Sequence, residues 1–243
     1  MTTTSVKDLI PRASAGQLEL HSGDRMSREE FHRIYEQMPD HVKAELVGGV
    51  VYVASPLRIR HGTSQPALTT VLFVYAANTP GVEVGDNTTV LLGDDGEPQP
   101  DLYLRVLPEC GGQSKTTPDD YVDGPPELVI EISHASRSLD LHGKKDEYAR
   151  HGVREYIVWT LSDNRLHWFD LAAGEELSAD ADGVMRVRQF PGLWIDAAAL
   201  LGKDYKKLVT TMQQGLATPE HATFVERLRR AGAGGGGGTS PSA

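Results

Sequence analysis

Residues 127–153 read ELVIEISHASRSLDLHGKKDEYARHGV, and the fold turns on how they are read. Leu128, Val129, Ile130 and Ile132 form an apolar run of strand type, with Glu131 inside it. After a short Ser-rich bend, a helix is expected from about Asp140 to His151, stopped at Gly152 by a natural C-terminal cap. Asp140 reads as the N-cap of that helix. A carboxylate in a buried strand is costly unless a metal or a positive charge compensates it. The following helix offers Lys144 and Lys145. Lys144 is taken as the compensating group, and Lys145 as an ordinary solvated lysine that is available to phosphates.

Upstream, residues 1–25 mix Thr, Ser, Gly and scattered charge without periodicity and read as a loose arm. A helix starts at Ser27, with Glu30 three residues later as a capping box. Phe31, Ile34, Tyr35 and Met38 give it one buried face, and Pro39 ends it. Glu45–Val47, Gly48-Gly49 and Val50–Val53 read as a hairpin turning on two glycines. Arg58, Arg60 and His61 lead into a second helix, with Ser64 as its cap and Pro66 in its first turn. Val82–Leu92 supplies one or two strands, and Pro100-Asp101 opens another over Leu102–Val106. Residues 108–126 are expected to be a long loop with short extended pieces.

Downstream, Glu155–Thr160 is a strand paired with Leu166–Phe169 across a turn at 162–165, and Val184–Arg188 adds an edge strand. Helices are expected over 196–213 and 219–230, and residues 231–243 form a Gly/Ser tail. The order of elements points to one α/β domain over residues 26–230, a mixed sheet flanked by helices.

Length and composition agree. A chain of 243 residues with 39% apolar content can bury the core of one domain of roughly 190–200 residues. The single cysteine, Cys110, excludes an internal disulfide framework and a cysteine-rich zinc site. The nine histidines show no ligand-type clustering. No run approaches the ~18–20 apolar residues of a membrane span, so a cytoplasmic protein without membrane contact is expected. The formal charge of −10 argues against charge-driven binding of nucleic acid over the whole surface. It leaves room for a nuclease, whose metal site needs carboxylates and whose basic groups are local.

Four polar positions stand out: Glu45, Asp101, Glu131 and Lys144. Asp101 and Glu131 lie thirty residues apart, each at or in an apolar strand, so adjacent strands can bring them together. Two carboxylates and the backbone carbonyl of Ile132 make a hard oxygen site suited to Mg²⁺ or Mn²⁺. Pro-Asp occurs at 39–40, 100–101 and 118–119, but only Asp101 has strand context. Ser133-His134 lacks the glycine pattern of a nucleophile elbow, which removes a serine-hydrolase reading. Tyr148, Trp159, Trp168 and Phe169 read as packing residues.

At these positions the sequence resembles the Uma family of restriction endonucleases, within the PD-(D/E)xK nuclease superfamily. The resemblance is carried by Glu45-Leu46 with Gly49-Val50-Val51, Ser55-Pro56 with His61, Pro100-Asp101, and Glu131-x-Ser133. It continues through Asp140-x-x-x-Lys144-x-x-x-Tyr148, Gly152-Val153, Glu155-Tyr156 and Phe190-Pro191-Gly192-Leu193, covering about residues 27–202. It implies a restriction-endonuclease-like fold and metal-dependent hydrolysis of DNA phosphodiesters, with Asp101 and Glu131 as metal-binding acids and Glu45 as a further acid. The third position of the ExK element is Ser133 rather than lysine. Members of the family commonly carry serine there and a lysine on the following helix, a position that Lys144 matches. Self-association of family members implies a homodimer. Arg58, Arg60, His61, Lys145 and Arg150 are the residues expected at the DNA backbone. Two rival functions remain open: a nuclease-fold scaffold or nucleic-acid-binding protein without turnover, and a phosphohydrolase acting on RNA or nucleotides.

Overall fold

The computed structural model describes residues 19–39, 41–54 and 59–235. Its helices are α1 (Arg28–Tyr35), α2 (Ile59–Ala77), α3 (Lys145–His151), α4 (Ala197–Gly202), α5 (Tyr205–Leu216) and α6 (Pro219–Gly235). The strands are β1 (Ala44–Val47), β2 (Val50–Val53), β3 (Val82–Asp86), β4 (Val90–Leu91), β5 (Leu102–Val106), β6 (Lys115–Thr116) and β7 (Val122–Asp123). They continue with β8 (Leu128–Ser133), β9 (Glu155–Thr160), β10 (Arg165–Asp170), β11 (Glu175–Leu177), β12 (Val184–Arg186) and β13 (Trp194–Asp196). A π-helical segment, Leu139–Lys144, leads directly into α3.

Six strands form the main sheet in the order β11-β10-β9-β8-β5-β3. Only β8 and β9 are parallel, joined by the crossover that carries α3; the other neighbours are antiparallel. The two central strands are buried at every position, as their near-continuous apolar sequence requires. Alternation then sorts their side chains. Leu128, Ile130, Ile132, Ile157 and Trp159 enter one core with Leu68, Val71, Leu72 and Tyr75 of α2 and with residues of α4, α5 and α6. Val129, Tyr156 and Val158 enter a second core on the opposite face with Tyr103, Tyr148 and Val153. Glu131 shares that second face, between Val129 and Ser133.

The Gly48-Gly49 hairpin forms as the sequence indicates, with both glycines at positive φ. Ser27 caps α1 by accepting the Glu30 N–H. Other expectations are corrected. Helix α1 ends at Tyr35, ahead of Pro39. Helix α2 begins at Ile59, so Ser64 and Pro66 lie inside it rather than at its start. The proline sacrifices one backbone hydrogen bond, yet the extension buries His61 and Ser64 on the same stripe as Leu68 and Tyr75. The edge strand Val184–Arg186 pairs with β13 instead of joining the main sheet, whose edges are β11 and β3. The helix expected over 196–213 is broken by Lys203, which adopts a left-handed conformation between α4 and α5. Asp196 and Asp204 cap those two helices separately. Residues 231–235 continue α6 into the stretch read as tail. Leu20 is buried and Gly23 donates to the Val51 carbonyl, so the end of the arm is tied to the hairpin. Among the described residues no helix is long and apolar enough to cross a membrane.

Candidate active site

Strand pairing supplies the first juxtaposition. The antiparallel ladder between β5 and β8 places Leu102 opposite Ile130, so Asp101 stands beside Glu131 just past the last pair. Cross-strand neighbours of this kind have Cβ atoms about 5 Å apart. The Asp101 N–H donates to Glu131 Oε2 at 3.4 Å, and Asp101 Oδ2 accepts the Ile132 N–H at 2.7 Å.

The crossover supplies the charge. Glu131 Oε1 accepts hydrogen bonds from Lys144 Nζ at 3.0 Å and from the Tyr148 hydroxyl at 3.0 Å. Lys144 Nζ also donates to Glu45 Oε1 at 2.7 Å, and that oxygen accepts the Gln99 N–H at 2.6 Å. Glu45, Asp101, Glu131 and Lys144, four positions drawn from three distant stretches, therefore meet. Lys144 is 4% exposed and Glu131 3%, while the Asp101 side chain keeps 16% of its surface open to solvent. Glu45, with 19% of its side chain open, is the other partly exposed member of the cluster.

Asp140 is not the helix N-cap. It lies inside the π-helical segment, 2% exposed, and accepts from the Ser136 hydroxyl at 2.6 Å. Helical structure begins upstream of it, which turns the Asp140 side chain inward with Lys144 and Tyr148. Single π-turns inside helices recur at functional sites. Tyr148 packs in the core as its sequence context indicates, but its hydroxyl also belongs to the cluster.

The electrostatics follow from one ammonium among several carboxylates. Burial pushes the Glu131 carboxyl well above the usual range; Lys144 opposes this, and Asp101, Asp140 and Glu45 reinforce it. Burial works against the charge on Lys144, yet Glu131, Glu45 and Asp140 hold its ammonium well above the ordinary lysine value. Burial also raises the Asp140 carboxyl against the pull of Lys144. His61 Nε2 lies 3.2 Å from Asp101 Oδ1 and is hydrogen-bonded to Asp101 Oδ2 at 3.3 Å, and that hydrogen bond raises the imidazole despite its burial. Four acids, Glu45, Asp101, Glu131 and Asp140, thus accompany the ammonium of Lys144, so acidic side chains outnumber it.

The donor set fits a hard divalent cation. All candidate donors are oxygens, and Glu131 Oε2 makes only the long contact to the Asp101 N–H. In the parallel ladder, Glu127 and Ser133 offer their carbonyls to β9. Residues between them in the alternation turn the other way, so Ile132 directs its carbonyl toward the Asp101 edge, where β5 pairing has ended. Ser133 Oγ and His61 Nδ1 are buried without a hydrogen-bond partner. Asp101, Glu131 and the Ile132 carbonyl thus satisfy the chemistry of a Mg²⁺ or Mn²⁺ site, with water completing the shell.

The residues expected at DNA are less gathered. Arg58 lies outside the described residues, as do Ser55 and Pro56. Arg60 is exposed at the start of α2, whereas His61 is buried against Asp101. Lys145 sits over the Phe169 ring, 5.1 Å from its centroid. Arg150 is held by Asp95 at 2.8 Å and by Glu147. The sequence reading missed the inward role of Asp140, the Tyr148 hydroxyl and the His61–Asp101 pair. The spacing 140, 144, 148 was the available signal for the first two.

Comparison with known proteins agrees with this architecture. The family model described as "Uma2: Putative restriction endonuclease" matches residues 28–198, well over half of the chain. A crystal structure of a "putative nuclease belonging to DUF820" from Anabaena variabilis ATCC 29413 superimposes with a TM-score of 0.53 at 11% identity. The match covers 74% of this chain and 97% of that one, and at this identity it shows a shared nuclease-like fold. No curated protein matches. With the family match running from α1 to the start of α4, through every strand that builds the cluster, the chain belongs to the Uma2 family.

Proposed function

We propose that the chain is a metal-dependent endonuclease that hydrolyses DNA phosphodiester bonds at the Asp101–Glu131 site. The observation that carries the reading is the buried Lys144 ammonium bridging Glu131 and Glu45 beside an Asp101 that is itself hydrogen-bonded to the Ile132 N–H. Asp101, Glu131 and the Ile132 carbonyl would hold Mg²⁺ or Mn²⁺. Such an ion, when bound, polarises a phosphoryl oxygen and lowers the pKa of water.

The chain's own groups do the rest. Lys144 brings a fixed positive charge to the place where charge develops on the phosphoryl group, and orients a water for attack. Glu45 keeps that ammonium charged and in place. The Tyr148 hydroxyl fixes the rotamer of Glu131, and His61 does the same for Asp101. Lys144 thus stands in for the lysine absent at Ser133. Arg60, exposed at the start of α2 next to His61, would meet a phosphate backbone. A homodimer would present two such sites to the two strands of a duplex; sedimentation of the full chain tests that.

The test is cleavage of plasmid DNA with Mg²⁺ or Mn²⁺, comparing wild type with Glu131→Ala and Lys144→Ala. The wild type is expected to nick or linearise the plasmid, and each variant to lose roughly 10²–10⁴-fold in rate, the scale of a missing electrostatic or acid–base group. A folded, metal-loaded wild type that leaves plasmid intact refutes the reading. One observation favours a rival. Every Lys144 contact is internal, as in a purely structural ion triad, and that reading, a scaffold without turnover, expects no cleavage by any form.

A further inference from the structure

A second cluster lies where the turn 93–96 meets α3, sharing no residue with the first. Asp95, Glu147 and His151 each offer one ligand atom, all within 4.8 Å of one another. His151 Nε2 is 3.3 Å from Glu147 Oε1 and 3.6 Å from Asp95 Oδ1. Neither Glu147 Oε1 nor His151 Nε2 has a hydrogen-bond partner, although both atoms are buried and the Glu147 side chain is only 2% exposed. Leaving buried polar atoms unpaired is costly. A group that takes both would remove that cost.

Three further features build the place. Glu147 and His151 are four residues apart on α3 and so lie on one face. Arg150 takes the outer oxygens, Asp95 Oδ2 at 2.8 Å and Glu147 Oε2, which leaves Asp95 Oδ1 and Glu147 Oε1 turned toward the imidazole. Glycines make the room: a Cβ at Gly96 would fall 2.1 Å from Glu147 Oε1, and one at Gly93 2.5 Å from His151 Cε1.

We propose that Asp95 Oδ1, Glu147 Oε1 and His151 Nε2 form a divalent-cation site of Zn²⁺ type, separate from the Asp101–Glu131 centre, that fastens α3 to the turn 93–96. Zinc ligands at about 2.0–2.2 Å in tetrahedral array stand about 3.3–3.6 Å apart, which is the spacing of the two contacts to His151 Nε2. A nitrogen donor with two carboxylates suits Zn²⁺ better than Mg²⁺. Arg150 acts here as an outer group that orients both carboxylates.

The competing arrangement is an ion-pair network among Arg150, a protonated His151 and the two carboxylates. Equilibrium dialysis of the full chain against Zn²⁺, with metal counted by mass spectrometry, separates the two. Wild type, Glu131→Gln, His151→Gln and the surface variant Asp95→Asn are compared, with circular dichroism as the check on folding. One Zn²⁺ equivalent retained by Glu131→Gln, and lost or weakened at least tenfold in both His151→Gln and Asp95→Asn, is the expected result. Co²⁺ in the same samples should show the visible absorption of a four-coordinate site in wild type and Glu131→Gln only. No Zn²⁺ bound by wild type, or an equal amount bound by the folded Asp95→Asn variant, overturns the proposal in favour of the ion-pair network.

Discussion

Replacing Lys144 by methionine keeps the length and apolar stem of the side chain and removes only its charge. Glu131 Oε1 then retains the Tyr148 hydroxyl, and Glu45 Oε1 retains the Gln99 N–H, but both lose their cationic partner. Breaking a buried ion pair on one side costs about 3–5 kcal/mol; with those two neutral donors left, the lower end, about 3 kcal/mol near pH 8, is expected. The cost has a definite pH dependence. Glu131 is already raised by burial, and Lys144 is the chief influence holding it down, so the variant's Glu131 rises further. A carboxyl whose folded pKa exceeds its unfolded value favours the folded state at low pH, and that advantage is lost as pH rises through the folded pKa. Protonated Glu131 no longer needs the ammonium, so the gap between variant and wild type should narrow as pH falls, toward the about 1–2 kcal/mol that hydrogen bonds to a neutral carboxyl contribute. Urea unfolding followed by the fluorescence of Trp159 and Trp168, buried on opposite strands of the β9–β10 pair, reads the difference at each pH. For a domain of this size the pH 8 deficit corresponds to about 6–12 °C in Tm. A deficit that is the same at pH 5 and pH 8, or below about 1 kcal/mol at pH 8, would refute the assignment of Lys144 as the compensator of Glu131.

Tyr148→Phe removes one of the two donors to Glu131 Oε1 while keeping the ring in place; it should cost about 1 kcal/mol in denaturant unfolding and leave Lys144 bound to Glu131, and a loss above about 3 kcal/mol argues that the hydroxyl holds more than this one contact. Gly96→Ala forces a Cβ against Glu147 Oε1 and the Leu92 carbonyl, so thermal unfolding should show a loss of about 1–3 kcal/mol, and unchanged melting contradicts the close packing of turn 93–96 on α3. Ser27→Ala deletes the acceptor for the Glu30 N–H and should cost about 1 kcal/mol, whereas Ser27→Asp should restore it; equal melting of all three forms would mean that α1 contributes nothing to the cooperative unit.

Much of the centre was readable because Glu131 violates the rule its neighbours obey. A charge inside a six-residue buried strand announces compensation, and the candidates for it lie within one crossover. The hairpin was readable for a local reason, since two adjacent glycines at positive φ suit few other structures. What sequence missed, tertiary contact decided. Ser64 and Pro66 carry genuine start signals, yet α2 runs two turns further because that delivers His61 to Asp101. Asp140 has the chemistry of a cap, but a π-turn has no signature in a 3.6-residue period, so its inward orientation was hidden. Lys203 gave no warning of the break between α4 and α5, because non-glycine residues enter the left-handed region only where packing requires it.

The π-helical segment also sets where between β8 and α3 the chain can change length. A π-turn is one residue wider than an α-turn, so deleting one residue between Asp140 and Lys144 lets the segment relax to an α-helix in which the two, now three apart, still share a face. Such a deletion removes no side chain of the centre if it falls on His142, which is exposed. The same deletion inside α3, where no wide turn absorbs it, swings Tyr148 by about 100° relative to Lys144. A deletion scan across residues 139–151 should therefore find its mildest loss within the π-helical segment, at His142, and a sharper one between Lys145 and Glu147, while single deletions in the exposed turn at 172–174 pass with little effect.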